Sequence, residues 1–512
     1  MYQETELKLL FRSRDQSLLH ALPLIGEKAK GRPLLSVYYD TPRRDLRRRG
    51  VVLRVRKADG RYIQGVKSKG RRIGGGTVRP EIECPVPTEA PLLSAIADGR
   101  LKRLVTRAAA NGLEPVFHTA FTRTSHRLSF DDGGRVMLDI DVGKIVAATA
   151  TEPICELELE LEAGPAHRLF DVARQINAHV PLRVSVASKA SRGYALAAGE
   201  TPGWSKFARP DLTGKVTVED AITLAVQGCL DHLLGNETCL LETDDPEGVH
   251  QVRIALHRLR STLRLFRSVL PADQYRWLTD ETKWLTGRLA AARDWDVFSD
   301  EIVGPVAVQF SAEPGFAVLR SALVHRRRTS RRAARRAVRS KRYTEFVLTL
   351  SGWLARRQWR SHKPDKGSER VLGPVASFAD TLIARRHRQV RNDGHKFATM
   401  TAEQRHQFRI DVKKLRYATD LFGSLYRGKG ATDYLGRLGK LQDSLGYAND
   451  VAVAEDLTRG LCQSTKGDDG AHGRRAGAIV LGWHAHAMAR AAGPLAKRVK
   501  RFIATRPPHT KR

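Results

Sequence analysis

The chain of 512 residues is long enough for two to four domains with complete cores, and its 41% hydrophobic content excludes a disordered polypeptide. Its 88 Lys and Arg against 55 Asp and Glu leave a formal charge of +33, a field that draws in nucleic acid, phosphate chains or anionic membrane. The excess is 10 up to residue 200 and 23 beyond it, so the second part carries most of the field. The five cysteines form no CxxC pair, as reduced, packed thiols would. No apolar run has bilayer-spanning length, and the N-terminus opens on a strand pattern instead of a signal sequence. A cytoplasmic protein is the expectation.

Glu4, Glu6 and Lys8 alternate with Thr5, Leu7 and Leu9, which predicts a strand with one charged face. A short helix is expected over 16–21, and strands over 34–40, 51–57, 62–69 and 81–86. Gly74-Gly75-Gly76 reads as a hairpin end, because no Gly-Lys-Ser/Thr follows to make it a phosphate loop. Residues 91–111 read as helical, 116–130, 136–146 and 153–162 as strands, 166–177 as a helix, and 182–188 as a last extended segment.

Within Cys155–Glu162, four carboxylates share one strand face and Cys155, Leu157, Leu159 and Leu161 the other. Same-face carboxylates lie roughly 6.5–7 Å apart and repel by about 2 kcal/mol at an effective dielectric near 20. Alone, this pattern is equally that of a solvated edge strand. Other strands repeat the device with both signs: Arg54 and Arg56, Lys67 and Lys69, Glu81 and Glu83, Asp139 and Asp141. A closed antiparallel barrel with a charged interior accommodates separate acidic and basic rows. Acids there hold divalent metal, and bases hold an anion bridged to it.

Glu4-x-Glu6-x-Lys8, Tyr39-Asp40-Thr41-Pro42, Leu53-Arg54-Val55-Arg56, the late glutamate strand and Ser188-Lys189-Ala190-Ser191-Arg192-Gly193, in that order, resemble the CYTH (triphosphate tunnel metalloenzyme) family. The resemblance implies a domain over 1–200 that hydrolyses inorganic triphosphate. Glu4, Glu6, Glu156, Glu158 and Glu160 would hold Mg²⁺ or Mn²⁺, and Arg54, Arg56, Lys67, Arg123, Lys189 and Arg192 would bind the triphosphate. Lys8 joins them in neutralising phosphate. The proton acceptor is open among Glu81, Asp139 and Asp141, for each of which a structural ion pair is an equal reading. Thiamine triphosphate hydrolysis and ATP cyclisation stay open as other activities of such a tunnel.

Residues 201–215 read as a linker, and 216–505 as an all-α domain with halves over 216–360 and 370–505. The halves rest on an internal repeat. His250–Phe266 recurs 156 residues later as His406–Phe422, with eight of seventeen positions identical. Each copy is expected to lead into a helix ending at an acidic turn, Asp294–Val297 and Asn449–Val451, and each half to form a four-helix bundle. In the first copy an apolar row (Val249, Val252, Leu256, Leu259, Leu263) runs beside a basic row (His250, Arg253, His257, Arg260, Arg264). In the second, His406, Arg409, Lys413 and Arg416 repeat the basic row, with Lys414 next to it.

One such row is ordinarily a solvated flank. Two rows with histidine in the same register favour an anion groove. His406 to Tyr417 resembles the signature of the CHAD domain, an α-helical module that binds inorganic polyphosphate in its family. His257 departs from the Arg or Lys usual there, which makes its charge pH-dependent. The implied partners are inorganic triphosphate and long-chain polyphosphate, with association with polyphosphate granules. A non-catalytic granule-targeting protein is the alternative reading. Nucleic acid is disfavoured, because no zinc-finger, helix-turn-helix or RNP pattern is present. A basic helix is expected over 325–342, a loop over 360–370, and a disordered basic tail from Pro507. Arg385, Arg386 and Arg388 are expected to border the second copy.

Overall fold

The computed structural model describes residues 2–25, 29–148, 150–360, 371–464 and 467–510. It divides into two compact units. One holds residues 1–203 with 237–243 and 338–358, and the other 204–236, 244–337 and 359–512.

The first unit is built on ten strands: β1 Tyr2–Leu10, β2 Arg32–Asp40, β3 Val52–Ala58, β4 Arg61–Lys67, β5 Arg71–Ile73, β6 Gly76–Val86, β7 Glu114–Ser129, β8 Arg135–Ala147, β9 Ala150–Ala163 and β10 Arg183–Ser185. The hydrogen-bonded order is β10-β1-β9-β8-β7-β2-β3-β4-β6-β5, and β1 also pairs with β6. That extra pairing closes eight antiparallel strands, β1-β9-β8-β7-β2-β3-β4-β6, into the expected barrel. Closure leaves no long unpaired edge.

The period-two pattern therefore buries both faces of a strand. Leu7, Leu9, Leu157 and Leu159 point outward and are fully buried, while Glu4, Glu6 and Lys8 point inward and are also buried. Helices cover the outward side. The unit's helices are α1 Gln16–His20, α2 Asp45–Arg48, α3 Gly99–Ala108, α4 His167–His179 and α5 Lys189–Ala198. Leu101 and Val105 of α3 pack on Leu53 and Val66, and α4 buries Leu169, Phe170, Val172 and Ile176.

Two of these helices, α2 and α5, are absent from the sequence reading. Ser188 starts α5 by accepting the Ser191 N–H. Gly193 lets α5 lie close on the barrel, because a Cβ there would fall 2.1 Å from the Phe117 ring. The helix expected over 91–111 shortens to a 3₁₀ turn at Leu93–Ala95 followed by α3. Gly74 and Gly75 do turn a hairpin: Ile73 pairs with Gly76, and Gly74 has a φ of 55°.

The helical part comprises α6 Val218–Glu242, α7 Pro246–Leu265, α8 Ala272–Val297, α9 Gly304–Gln309, α10 Gly315–Val338, α11 Lys341–Arg356, α12 Val375–Gly394, α13 Ala402–Leu421, α14 Lys429–Ser464 and α15 Gly467–Ile503. The last turn of α6 and all of α11 pack within the barrel unit. There Tyr343 Oη donates to Glu237 at 2.8 Å, Arg356 pairs with Asp171, and Ser351 Oγ accepts the Gly75 N–H at 2.9 Å. In the second unit α12 to α15 pack as four helices, each against the next and α15 back on α12.

Three expectations are corrected. The acidic stretches are not turns: Asp294–Val297 ends α8 in a run continued as a π-helix over Phe298–Val303, and Asn449–Val451 lies inside α14. The basic helix expected over 325–342 breaks after Val338, where Ser340 caps α11 by accepting the Tyr343 N–H. The expected tail is anchored as far as Thr510, whose backbone N–H and hydroxyl both donate to Asp380, and residues 511–512 lie outside the described residues. Of the loop expected over 360–370, residues 361–370 lie outside the described residues.

Candidate active site and a basic helical face

Inside the barrel lies a cavity of about 350 Å³. Its wall carries Glu4 and Lys8 from β1, Arg54 and Arg56 from β3, Lys67 from β4, and Arg79, Glu81 and Glu83 from β6. Arg123 of β7, Glu158 and Glu160 of β9, and Lys189 at the start of α5 complete the charged lining.

The register of the strands sets acid directly against acid. Glu6 opposes Glu160, Asp139 opposes Glu158, and Asp141 opposes Glu156. Like charges opposite one another across a ladder are destabilising, so these pairs need cations. Three side chains supply them. Lys8 lies 2.5 Å from Glu6 and also binds Glu158. Arg123 contacts Asp139 at 2.5 Å, Asp141 at 2.6 Å and Glu158 at 2.6 Å. Lys189 contacts Glu156 at 2.6 Å, Asp141 at 2.8 Å and Glu158 at 3.1 Å.

Titration follows from this geometry. Burial opposes the charge of Glu158, yet Lys189, Lys8 and Arg123 hold its carboxyl well below the usual range. Burial also opposes the ammonium charges of Lys8 and Lys189, which nearby carboxylates outweigh and raise above the usual lysine value. Glu156 and Asp139 go the other way, raised chiefly by burial.

The N-terminal acids meet a different cation. Glu4 lies 2.9 Å from Lys67 and 3.0 Å from Arg79, and Glu6 lies 2.5 Å from the same Arg79. Against the effect of burial, Lys67 and then Arg79 bring Glu4 down to about 2. Arg79 was missed in the sequence because the strand was started at Glu81. Extending the alternation back two residues puts Arg79 on the face of Glu81 and Glu83, so the signal was present.

Arg56 stands apart. Its Nε donates to Ser36 Oγ at 3.4 Å, and among the described residues it makes no ion pair. Burial and the neighbouring Arg54 and Arg123 lower it to about 10. Arg54, by contrast, is held by Glu83 at 2.9 Å and Glu81 at 3.2 Å.

The expected site residues thus fall into four places. Glu4, Lys8, Arg54, Arg56, Lys67, Glu81, Arg123, Glu158, Glu160 and Lys189 line the cavity. Asp139, Asp141 and Glu156 are buried on the inner strand faces without lining it, and Asp141, Glu156 and Glu158 bring carboxylate oxygens within 4.8 Å of one another. Glu6 faces an adjoining cavity, and Arg192 lies outside both, bound to Glu152 at 2.7 Å and Glu156 at 3.2 Å.

In the helical unit, the basic rows of α7 and α13 meet. His257 lies among Lys413, Arg260, Arg253 and Arg409, and Arg260 donates to its Nδ1 at 3.2 Å. Burial first, then those cations, lower His257 to about 2, so it is neutral at physiological pH instead of switching there. Burial and Arg409, Arg260 and Arg253 lower Lys413 to about 8. His250 falls to about 4 through burial and Arg293.

Among the described residues, Arg253, Arg264, Arg409 and Lys413 make no ion pair. Lys414 and Arg416 do, with Asp411 at 2.6 Å and Asp420 at 3.2 Å, and His406 is exposed. Arg386 is half-buried near Arg385 and Arg264, which extends the basic surface. Arg327 and Arg331 of α10 are instead held by Asp296 at 2.8 and 2.9 Å.

Residues 2–194 match the family model of the CYTH domain, and residues 224–459 that of the CHAD domain. An inorganic triphosphatase of Haemophilus influenzae is 32% identical over 166 residues, 31% of this chain and 45% of the relative. The chain therefore spans under half the length of that relative. The crystal structure of a CHAD domain from the plant Ricinus communis is 28% identical, with a TM-score of 0.50, covering 61% of this chain and 99% of that one. No helix among the described residues is long and apolar enough to cross a membrane.

Proposed function

Starting from the premise that this chain is a CYTH domain followed by a CHAD domain, we propose that its barrel hydrolyses inorganic triphosphate with a divalent metal, while its helical face binds long polyphosphate. The observation carrying the first half is a set of three acid–acid cross-strand pairs on the inner strand faces, two of whose members, Glu158 and Glu160, line the charged cavity beside a row of cations. Burying so many charges is favourable only when each is matched. A metal–phosphate guest matches both signs at once, releasing carboxylates to the metal and cations to phosphate.

The donor set fits such an ion. Asp141, Glu156 and Glu158 offer hard carboxylate oxygens close together, suited to Mg²⁺ or Mn²⁺. Glu160 and Glu6, opposed across β1 and β9, are a second acidic pair, and Glu4 completes the proposed metal-holding set. When bound, the ion supplies Lewis-acid polarisation of phosphate oxygen and orients water.

The chain's own residues do the rest. Arg54, Arg56, Lys67, Arg123 and Lys189, with Lys8, neutralise charge spreading over the phosphoryl oxygens, which is the main protein contribution to such a transfer. Arg56, which makes no ion pair among the described residues, has none to break when it turns to phosphate. Arg192 supports the site from outside by holding Glu156. Glu81 is assigned as proton acceptor, because it lines the cavity and burial raises its carboxyl. Asp139 instead positions Arg123, and Asp141, besides its place in the proposed metal-holding set, positions Arg123 and Lys189.

The lining favours an inorganic substrate. Tyr38 and Phe121 are its aromatic members, and both are engaged: Tyr38 stacks on Phe117 at 4.4 Å, and Lys189 and Arg123 lie 5.3 and 5.8 Å from the Phe121 ring centre. A nucleobase or thiazolium ring finds no open aromatic face there. Side-by-side product analysis with tripolyphosphate, ATP and thiamine triphosphate tests this, and preference for an organic triphosphate would refute it. For the helical face, the carrying observation is that Arg253, Arg409 and Lys413, which make no ion pair among the described residues, gather with Arg260 around His257. Its test is polyphosphate binding that weakens steeply with salt, and equal binding of duplex DNA at matched phosphate would count against it.

A further inference from the structure

The charged cavity continues into a second one of about 320 Å³ that the triphosphate reading does not use. The two share Lys8, Val52, Lys67, Arg79 and Ser188. Their order along the barrel is fixed by β6: Thr77 lines the second alone, Arg79 both, and Glu81 and Glu83 the first alone. On β1, Glu6 opposes Thr77 and faces the second, whereas Glu4 opposes Arg79 and faces the first. The cavities are therefore successive lengths of one channel, and Thr77 to Glu83 spans roughly 20 Å of it at strand rise.

The two lengths differ in chemistry. The first mixes acids and bases. The second has six bases, Lys8, Arg47, Lys67, Lys69, Arg72 and Arg79, against one acid, Glu6. Hydroxyls of Ser68, Thr77, Ser185, Ser188 and Ser191 add further donors. Without a carboxylate cluster, this length suits an anion that needs no metal. Its rim is held by Ser351, which takes the Gly75 N–H.

Resting on the triphosphatase reading, we infer that this second cavity binds the further phosphates of a linear condensed phosphate longer than three units, so that the barrel trims such chains from one end. Water adds to the terminal phosphorus, and the P–O bond to the next phosphate breaks. The shortened chain leaves with the bonding electron pair, and Glu81 takes the proton of the attacking water. The terminal phosphates occupy the mixed cavity and the remainder follows the basic one.

The test uses the full chain with Arg409, Lys413 and Arg416 replaced by Ala, which removes the helical face as a competing binder. Hydrolysis of tripolyphosphate is compared with that of linear chains of increasing length, with and without Lys69→Glu and Arg72→Glu. Neither residue belongs to the proposed triphosphate site, so the tripolyphosphate rate should be unchanged and also shows that the variant is folded. For longer chains KM should rise on the order of tenfold, with a steeper salt dependence than for tripolyphosphate. Equal effects at every length, or inability of the parent to cleave longer chains, would overturn the inference while leaving the triphosphatase reading intact. Absence of tripolyphosphate hydrolysis would overturn both.

Discussion

The barrel cavity and the helical face are both rich in arginine and lysine, yet they handle that charge in opposite ways. In the barrel nearly every cation touches a carboxylate, and the strand register places acids opposite acids with Lys8, Arg123 and Lys189 between them. On the helices, Arg253, Arg260, Arg409 and Lys413 gather around His257 with no ion pair to a carboxylate among the described residues, and the cost shows as a neutral histidine and a lowered lysine. An interior of both signs can exchange its internal ion pairs for a metal and a phosphate, as chemistry requires. A surface of one sign can only gain from an anion, as a binder requires. The same residue types thus serve different ends, decided by whether acids stand beside them.

The largest expected effect breaks the mixed cavity. Glu158→Gln should lower phosphate release from tripolyphosphate by about 10²–10³, a typical loss when one preorganised electrostatic group goes. Glu158→Ala should in addition destabilise the barrel by about 3–5 kcal/mol, because Lys8, Lys189 and Arg123 are left facing a gap, as thermal unfolding would register. Glu81→Gln should reduce kcat by about 10²-fold with KM little changed, the split expected of a proton acceptor.

Next comes the one-sign face. Replacing Arg409, Lys413 and Arg416 together by Ala should weaken polyphosphate binding and reduce its logarithmic salt slope by roughly two. Arg409 and Lys413 dominate, since Arg416 is already bound to Asp420. Tripolyphosphate turnover should stay at the parent rate.

The pH dependence separates the regions further. Lys413 is lowered to about 8, so its charge, and polyphosphate affinity with it, should fall as pH rises through 8, measured by titration at fixed salt. Glu4 is lowered to about 2 from 4.5. Its stabilising contribution is therefore complete above pH 4.5 and is lost as pH falls toward 2. Glu4→Gln should lower stability at neutral pH, where that contribution is complete, and flatten the acid limb of the unfolding curve so that variant and parent converge toward pH 2.

Much of this was legible in the sequence because the barrel writes its interior with period two. Glu4, Glu6, Lys8, Arg54 and Arg56 could be placed on an inward face from alternation alone, and the repeat at 250 and 406 exposed the basic rows. What stayed hidden was set by closure and register. Nothing local in Asp139-Ile140-Asp141 says that it will lie opposite Glu156 and Glu158. Nor does Lys189-Ala190-Ser191-Arg192 announce a helix whose Lys189 turns in while its Arg192 stays outside. Arg79 escaped because Pro80 in mid-strand shortened the reading of β6. His257 was read as a pH switch because its own helix is visible in sequence and the cations of α13 facing it are not.

The most direct measurement follows phosphate release from tripolyphosphate by the full chain, with added Mg²⁺ or Mn²⁺ and again with chelator in excess, beside Glu158→Gln. Release that requires the divalent ion and nearly vanishes in the variant is the expected result. An undiminished rate in chelator, or a fully active Glu158→Gln protein, would contradict the account of a cavity whose acids and bases gather around a metal-bound phosphate chain.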